Sequence, residues 1–232
     1  MRLLQILIVS LIVLAIAGYA HGEDDPILPD WFWDTPVNDN ALLAVGYSNA
    51  YIESDHAFNE AFENAVLRLF IDTNCQIKGE RATATSPGGS MHMGSTIQVS
   101  KDTLGLAEFK KHVARLDSVR TPEMLIILVS NREMEITRKF IKQPGNPESE
   151  NAVSGSALIY LQQSSSWIEA ERVAREELAI SISASVKVVD RKENDRVVKT
   201  IVTTTDVMLS DVQTIHRRID WDNRIVKVWV RD

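Results

Sequence analysis

The hydrophobic pattern of the chain contains the same succession of elements twice. Continuous apolar runs at Ala41–Tyr47 and Ala157–Leu161 are typical of buried strands, and their continuity predicts central strands that are covered on both faces. After each run, apolar side chains recur three and four residues apart, which predicts an amphipathic helix. These side chains are Phe58, Ala61, Phe62, Ala65, Val66, Leu69 and Phe70 in the first helix, and Ala170, Val173, Ala174 and Leu178 in the second.

Polar residues mark the expected beginning of each helix. Ser54 is expected to be the N-cap of the first helix. Ser166 and Glu169 form a capping-box pattern, in which each side chain binds a backbone N–H that the helix leaves free.

Small side chains allow a helix to approach a sheet closely, and both predicted helices place alanines at matching positions: Ala61 and Ala65 in the first, Ala170 and Ala174 in the second.

The two halves align when the second is shifted by 109 residues. The shift brings Glu60, Ala61 and Leu69 onto Glu169, Ala170 and Leu178. Each helix is followed by a polar turn and then by three β-rich runs, of which the second alternates and the third is an apolar strand. These runs are Ser95–Val99, Ala107–Asp117 and Met124–Val129 in the first copy, and Val197–Thr205, Val212–Asp220 and Ile225–Val230 in the second.

The sequence therefore predicts an α+β fold of two tandem β-α-β-β-β modules, each a helix packed on an antiparallel sheet. The first module is expected at 41–142 and the second at 157–232. Between them, 143–156 has the proline, glycine and polar composition of a linker. Before them, we expect a signal peptide at 1–20 and an acidic, aromatic leader at 21–40.

The first twenty residues have the layout of a secretory signal peptide. Arg2 precedes a mainly apolar run, Leu3–Ala17, and small residues follow at spacings that suit cleavage. The run is short for a membrane span, although an uncleaved N-terminal anchor is the alternative. We therefore expect a periplasmic or secreted protein that contacts a membrane only if this segment stays uncleaved.

Composition narrows the possible functions further. The chain has 232 residues, is 44% hydrophobic and carries a formal charge of −7, so it lacks the basic surface of a nucleic-acid-binding protein. Six acidic residues and no basic residue lie between Glu23 and Asp39, a composition typical of a solvated, mobile leader. Cys75 is the only cysteine, which excludes an internal disulfide, and we expect it to be buried rather than a reactive thiol.

Several residues could carry chemistry, and each also has a structural interpretation. Met91-His92-Met93 has the ligand types of a soft copper site, but it stands alone in a predicted loop. His112 and His216 fall on equivalent strands but one register apart, so we expect them to be exposed on opposite sheet faces. Asp220 and Asp222 flank a turn and are expected to stabilise it. We therefore predict no catalytic residue, no metal site and no cofactor.

Basic residues near the predicted strands have a structural interpretation too. They deter sheet-to-sheet pairing at strand edges, which we prefer to a role in ligand binding. The residues concerned are Lys110, Lys111 and Arg115 in the first copy, and Arg217 and Arg218 in the second.

The aromatic triplet Trp31, Phe32 and Trp33 is the most suggestive patch in the sequence. Three large rings in the leader must be buried somewhere. One interpretation is that they fold back on their own domain as a lid. The other is that they form a protein interface and anchor the chain in a partner, because tryptophan dominates interface hot spots.

Parts of the sequence resemble the bacterial Lpp-twenty lipoprotein family and the related N-terminal domain of the flagellar T-ring assembly protein. The resemblance is carried by Pro29-Asp30-Trp31, by Val45-Gly46-Tyr47 and by the alanine-rich helix from Ala170 to Ala179. It implies a helix on an antiparallel sheet, a place in the bacterial envelope, and a role in assembly rather than catalysis. These lipoproteins carry a lipidated cysteine that this chain lacks, which favours a soluble periplasmic or exported form.

We therefore expect a non-enzymatic exported protein of the bacterial cell envelope that serves as a protein-interaction or assembly module, associated with the flagellum or the outer membrane. Its partners would be envelope proteins or further copies of itself, and nucleic acid is not expected among them. The alternative is a small periplasmic or secreted enzyme, or a ligand-binding carrier, with a site between the two modules.

Overall fold

The computed structural model describes residues 25–38, 40–50, 53–86, 89–100, 104–147, 151–159, 162–193 and 196–232. The predicted signal peptide lies outside these ranges. Within them, no helix is long and apolar enough to cross a membrane. The helices are α1 (Asp30–Trp33), α2 (Ser54–Thr73), α3 (Leu106–Lys110) and α4 (Gln163–Ser183).

The strands form small antiparallel sheets around the two long helices. The leader contains β1 (Leu28–Pro29). The first-copy strands are β2 (Leu43–Asn49), β3 (Asn74–Ser86), β4 (Gly89–Ser95), β5 (Gln98–Ser100), β6 (Ala114–Arg120), β7 (Met124–Ser130) and β8 (Phe140–Ile141). The second-copy strands are β9 (Val153–Leu158), β10 (Ser185–Glu193), β11 (Arg196–Ser210), β12 (Gln213–Asp220) and β13 (Ile225–Arg231).

The two copies have the same core topology. The first forms a sheet in the order β2-β7-β6 with α2 packed on it, and the second a sheet in the order β9-β13-β12 with α4 packed on it. This confirms the α+β fold with a helix on an antiparallel sheet in each copy. The first strand of each copy is an edge strand, however, and the last one is central, so the central position predicted for the first strands is wrong.

Strand β2 is nevertheless buried on both faces, because the second copy covers the face that α2 leaves free. Ala44 belongs to the core cluster under α2, whereas Val45 and Tyr47 belong to a larger cluster that includes Trp167 and Ala170 of α4. The apolar continuity of the first strand thus reflects contact with the other copy. A strand that is hidden on both faces needs no central place in its sheet.

A glycine in each first strand lets the helix lie against it. A Cβ on Gly46 would fall 2.0 Å from the backbone oxygen of Ala61, and one on Gly155 would fall 2.1 Å from the backbone nitrogen of Ala174. The two glycines are 109 residues apart, as are the alanines that they face. The close approach predicted from the alanines is confirmed.

The turn predicted after each helix is wrong, because strands β3 and β10 begin there. Each starts a long hairpin, and β11 of the second copy pairs with β3 of the first from Lys199 opposite Thr85 to Ser210 opposite Asn74. The resulting sheet has the order β10-β11-β3-β4, and β5 also pairs with β3. We call this sheet the ribbon. The two copies therefore share one sheet and are joined by backbone hydrogen bonds.

Other local predictions also need correction. The run Ala107–Asp117 is not one strand, because α3 occupies its first part. Ser166 lies inside α4, which begins at Gln163, so the predicted capping box is wrong. Strand β9 begins at Val153, within the predicted linker. The Gln143 side chain of that linker binds both backbone groups of Ile219, so this part of the linker is docked on the second copy.

Candidate functional site

A cluster of charged side chains is buried where the two copies meet. Glu171 of α4 is at its centre and is almost inaccessible to solvent. Its carboxylate accepts hydrogen bonds from the Tyr47 hydroxyl at 2.6 Å and from Arg217 Nη2 at 3.2 Å, and it also pairs with Arg68. Strand β2, helix α2 and strand β12 thus each contribute one side chain to this carboxylate of α4.

Arg217 connects the cluster to the leader. Its side chain is fully buried on β12, where Nε donates to the Tyr47 hydroxyl at 2.7 Å. Nη1 donates to the backbone oxygen of Phe32 at 3.0 Å and to the Thr35 hydroxyl at 2.7 Å. The prediction that Arg217 protects a strand edge is therefore wrong. The arginine instead fixes the leader against both copies.

A second ion pair crosses from one long helix to the other. Arg175 of α4 binds the carboxylate of Asp72 on α2, and both residues are buried. Burial alone would lower the pKa of Arg175, but the attraction and the hydrogen bonds of Asp72, together with Cys75 and Tyr47, raise it. Arg175 therefore remains positively charged inside the junction.

Arg68 is the least compensated charge in the cluster. Arg68 pairs with Glu171, a carboxylate that it shares with Arg217, whereas Arg175 has Asp72 as a partner of its own. Burial and, next, repulsion from Arg175 lower the pKa of Arg68 to about 10. Its Nε is buried and has no hydrogen-bond partner among the described residues. Arg68 is thus charged near neutral pH and incompletely satisfied.

A cavity of about 550 Å³ lies beside Arg68, between α2 and α4. Three of its lining residues are arginines, Arg68, Arg172 and Arg175, and Asn64 and Gln98 add side-chain amides. No carboxylate is found among the described lining residues. The polar part of the described cavity wall therefore consists of guanidinium and amide groups.

The rest of the cavity wall is apolar. Leu67 and Ile71 come from α2, Ile168 comes from α4, and Ile97 closes the cavity just before β5. On α2 the lining positions 64, 67, 68 and 71 share one helical face, which explains why one face supplies both the amide and the aliphatic groups. Such a cavity suits a small molecule with a polar and an apolar part.

The aromatic triplet is in the core and is not on an accessible surface. Trp31, Phe32 and Trp33 are 1%, 0% and 0% exposed. Trp31 Nε1 donates to Asp117 of the first copy at 2.8 Å, and the Phe32 ring meets the Trp167 ring of the second copy edge-to-face at 5.3 Å. The interpretation of these residues as a protein interface is incompatible with this conformation, as is a solvated, mobile leader over these residues.

The two histidines differ from the prediction of exposed strand positions. His216 is buried on β12, and its Nδ1 lies 2.5 Å from Asp34 Oδ1 of the leader. His112 is exposed, but it lies in the turn after α3. Lys110 likewise ends α3, and Lys111 follows it, so neither lies on a strand edge.

The remaining candidate site residues have structural roles or have side chains outside the described part of the chain. Cys75 is buried, in agreement with the prediction. Asp220 accepts hydrogen bonds from the backbone and the side chain of Asn223, which lower its pKa, and it thus stabilises the turn as expected. Met91-His92-Met93 lies on β4 rather than in a loop, and its side chains are outside the description. No set of His, Cys, Asp and Glu in the described ranges is arranged to hold a metal ion.

The ribbon presents a free edge near α4. Within the described sheet, β10 is the terminal strand and pairs only with β11. Val186 and Val188 are on the same face of β10 and are 61% and 47% exposed. At the other end of β10 the sequence is Asp190-Arg191-Lys192-Glu193, and charges of this kind discourage pairing. The apolar part of the edge is therefore next to the helix.

Sequence reasoning missed the buried cluster because its pairs join non-equivalent positions. Shifted by 109, Asp72 corresponds to Ser181 and Arg175 to Val66, so the repeat gives no hint of the pair. One signal was available: Glu171 and Arg175 lie on the same helical face as Ala170, Ala174 and Leu178, at positions that the amphipathic pattern assigns to the core.

Comparison with known proteins adds no relative: no protein-family model, curated protein or solved structure matches the chain significantly. The resemblance to the Lpp-twenty lipoproteins stays a prediction.

Proposed function

We propose that the chain is an exported, non-enzymatic protein of the bacterial cell envelope that binds another protein during assembly, and that the partner adds a strand to the edge of β10. The single observation that carries this proposal is the free, partly apolar edge of the ribbon at Val186 and Val188. Main-chain hydrogen bonds from an added strand would satisfy that edge, and the valines would select apolar side chains at alternate positions.

The cellular setting of the proposal comes from the sequence. The N-terminal pattern of Arg2 followed by an apolar run suits export, and the resemblance to envelope lipoproteins and to the T-ring assembly protein suits assembly at the outer membrane or the flagellar base. The periplasm is therefore the compartment in which a partner should be sought first.

The buried charged side chains are paired with one another, which supports binding rather than catalysis. Arg175 is bound to Asp72, and Arg217 is bound to Glu171 and to the leader. These groups hold the two copies in one arrangement, and that rigid body supports the ribbon. A partner strand that docks on a fixed edge loses less conformational freedom than one that docks on a mobile edge.

Site-specific photo-cross-linking tests this proposal. A photo-reactive phenylalanine derivative in place of Val188, in the full chain expressed in its own bacterium, should cross-link one discrete partner. The same residue in place of Ile182, an exposed position on α4, is the matched control and should not. Val186→Lys together with Val188→Lys should abolish binding of the partner identified in this way without lowering the melting temperature.

Two kinds of result would contradict the proposal. A cross-link between two copies of the chain would identify a homo-oligomer and contradict an envelope partner. Equal cross-linking from positions 182 and 188, or none from 188, would contradict docking on β10.

A different observation supports the ligand-binding alternative. The cavity between α2 and α4 is large enough for a small molecule and is built by both copies, as a carrier with a site between the modules requires. Carrier function is the second candidate, and it does not depend on the edge of β10.

A further inference from the structure

We propose that the cavity between α2 and α4 binds a single-chain anionic amphiphile, a molecule with one carboxylate or phosphate head and one hydrocarbon tail. The head would lie at Arg68 and the tail along the aliphatic wall. This inference rests on the carrier function as the second candidate and is independent of the partner proposed for β10.

The positive charge of the wall selects the head group. Arg68, Arg172 and Arg175 face the cavity, whereas the carboxylates that bind them, such as Asp72 and Glu169, are not among the described lining residues. A guanidinium binds carboxylate and phosphate through paired hydrogen bonds. Among the described lining residues, a cationic head would meet guanidinium and amide groups but no carboxylate.

Arg68 is the expected contact of the head because it has a donor to offer. Arg68 lines the cavity, and its Nε is buried without a hydrogen-bond partner in the described part of the chain, while Nη1 already binds Glu171. A buried donor without an acceptor is unfavourable, so a small shift of the Arg68 side chain that brought Nε to an anion in the cavity would supply the missing acceptor.

The aliphatic part of the wall selects the tail. Leu67, Ile71, Ile97 and Ile168 provide four apolar side chains from three segments of the chain. The volume of about 550 Å³ is within the roughly 300–1,000 Å³ that is usual for small-molecule sites. Inorganic phosphate would leave this apolar wall uncovered, so it should bind much more weakly than an amphiphile.

Calorimetric titration of the purified full chain with four probes below their micelle concentrations tests the inference. Dodecanoate has the carboxylate head of a free fatty acid, and dodecyl phosphate has the phosphate head of a single-chain phospholipid. Dodecyl maltoside represents a neutral head, and inorganic phosphate represents a head without a tail. At least one of the first two probes should bind saturably with one site per chain. The tighter of the two shows whether the ligand is a fatty acid or a single-chain phospholipid.

Leu67 allows a matched pair of variants. Its side chain is 38% exposed at the cavity wall, so both Leu67→Glu and Leu67→Gln should fold. The new carboxylate of Leu67→Glu should weaken binding of the anionic amphiphile at least about tenfold by repulsion, whereas Leu67→Gln should change it much less. Arg68→Gln should also weaken binding, and the melting temperature of each variant shows whether it is folded.

Each remaining result has a definite meaning. If none of the amphiphiles binds, both the carrier function and this inference fail. If the maltoside binds as tightly as the anions, or if Leu67→Glu binds dodecanoate as well as Leu67→Gln does, the carrier function survives and the anionic head is wrong. If inorganic phosphate binds as tightly as the amphiphiles, the apolar tail is wrong.

Discussion

Arg175 and Asp72 form a two-point ion pair across the junction of the two copies. Arg175 Nε donates to Asp72 Oδ1 at 2.7 Å, and Nη2 donates to Oδ2 at 2.9 Å. Each residue is on the long helix of a different copy, and the pair is excluded from water. The helices are therefore fixed to each other by a directional contact as well as by apolar packing.

Removal of one partner of this pair should be costly. Arg175→Met leaves the Asp72 carboxylate buried without its cation and should lower the free energy of unfolding by about 3–5 kcal/mol. The double variant Asp72→Leu, Arg175→Met should recover a large part of that loss, because a buried pair is often no more stable than apolar side chains of similar volume. Urea-induced unfolding measures both effects.

The exposed pair of Lys110 and Glu63 is the control for that experiment. Lys110→Met should change the free energy of unfolding by less than about 1 kcal/mol, because water and salt screen surface ion pairs. Equal losses from Arg175→Met and Lys110→Met would show that the buried pair has no special role.

Both interface glycines should resist substitution. Gly46→Ala or Gly155→Ala forces a methyl group into helix backbone and should destabilise the protein by about 1–3 kcal/mol or more. Gly145→Ala is the control, because no heavy atom of the described residues, apart from its chain neighbours, lies within 4 Å of the position of its Cβ. Thermal unfolding of the three variants checks this; a shift at Gly145 as large as those at the other two would refute the packing argument.

The leader aromatics should be needed for stability in the monomer. Trp31→Ala and Trp33→Ala each remove a fully buried ring and should lower the free energy of unfolding by about 3–5 kcal/mol. Val37→Ala, at an exposed position of the same leader, should change it by less than about 0.5 kcal/mol. Unchanged stability in the tryptophan variants would instead make the aromatics available to a partner.

The pH dependence of stability should include a contribution from Glu169. Hydrogen bonds from Arg172 lower the pKa of this carboxyl below its usual value of 4.5. As the pH falls below 4.5, the Glu169 carboxyl therefore binds a proton more readily in the unfolded chain than in the folded one. The stabilisation by the Arg172 contact is lost in that pH range. The melting temperature of the wild type should approach that of Glu169→Gln between pH 6 and pH 3; a constant difference would contradict the assignment.

The duplicated helix-on-sheet arrangement was predictable because it depends on local patterns. Ala61 and Ala65 recur as Ala170 and Ala174, and Gly46 recurs as Gly155, so packing positions repeat wherever the helix meets its own sheet. The strand predictions succeeded at β7 and β13, where apolar residues are continuous or alternate.

The contacts between the two copies were not predictable, because they are made by residues that differ between the copies. Strand β3 reads Asn74-Cys-Gln-Ile-Lys-Gly-Glu-Arg-Ala, which has the polarity of a turn, and its pairing with β11 is visible only in three dimensions. Arg217 looks like a surface charge on an alternating strand, yet it is buried because Glu171, Tyr47 and Phe32 from distant segments satisfy it. Long-range partners of this kind leave no periodic signal.

The central claim is that the two copies form one body, since the cavity and the ribbon are both built at their junction. Differential scanning calorimetry of the full chain tests this directly. One body held by the Asp72–Arg175 pair, the shared sheet and the leader should give a single transition whose calorimetric and van't Hoff enthalpies agree. Two separable transitions, one for each copy, would contradict it.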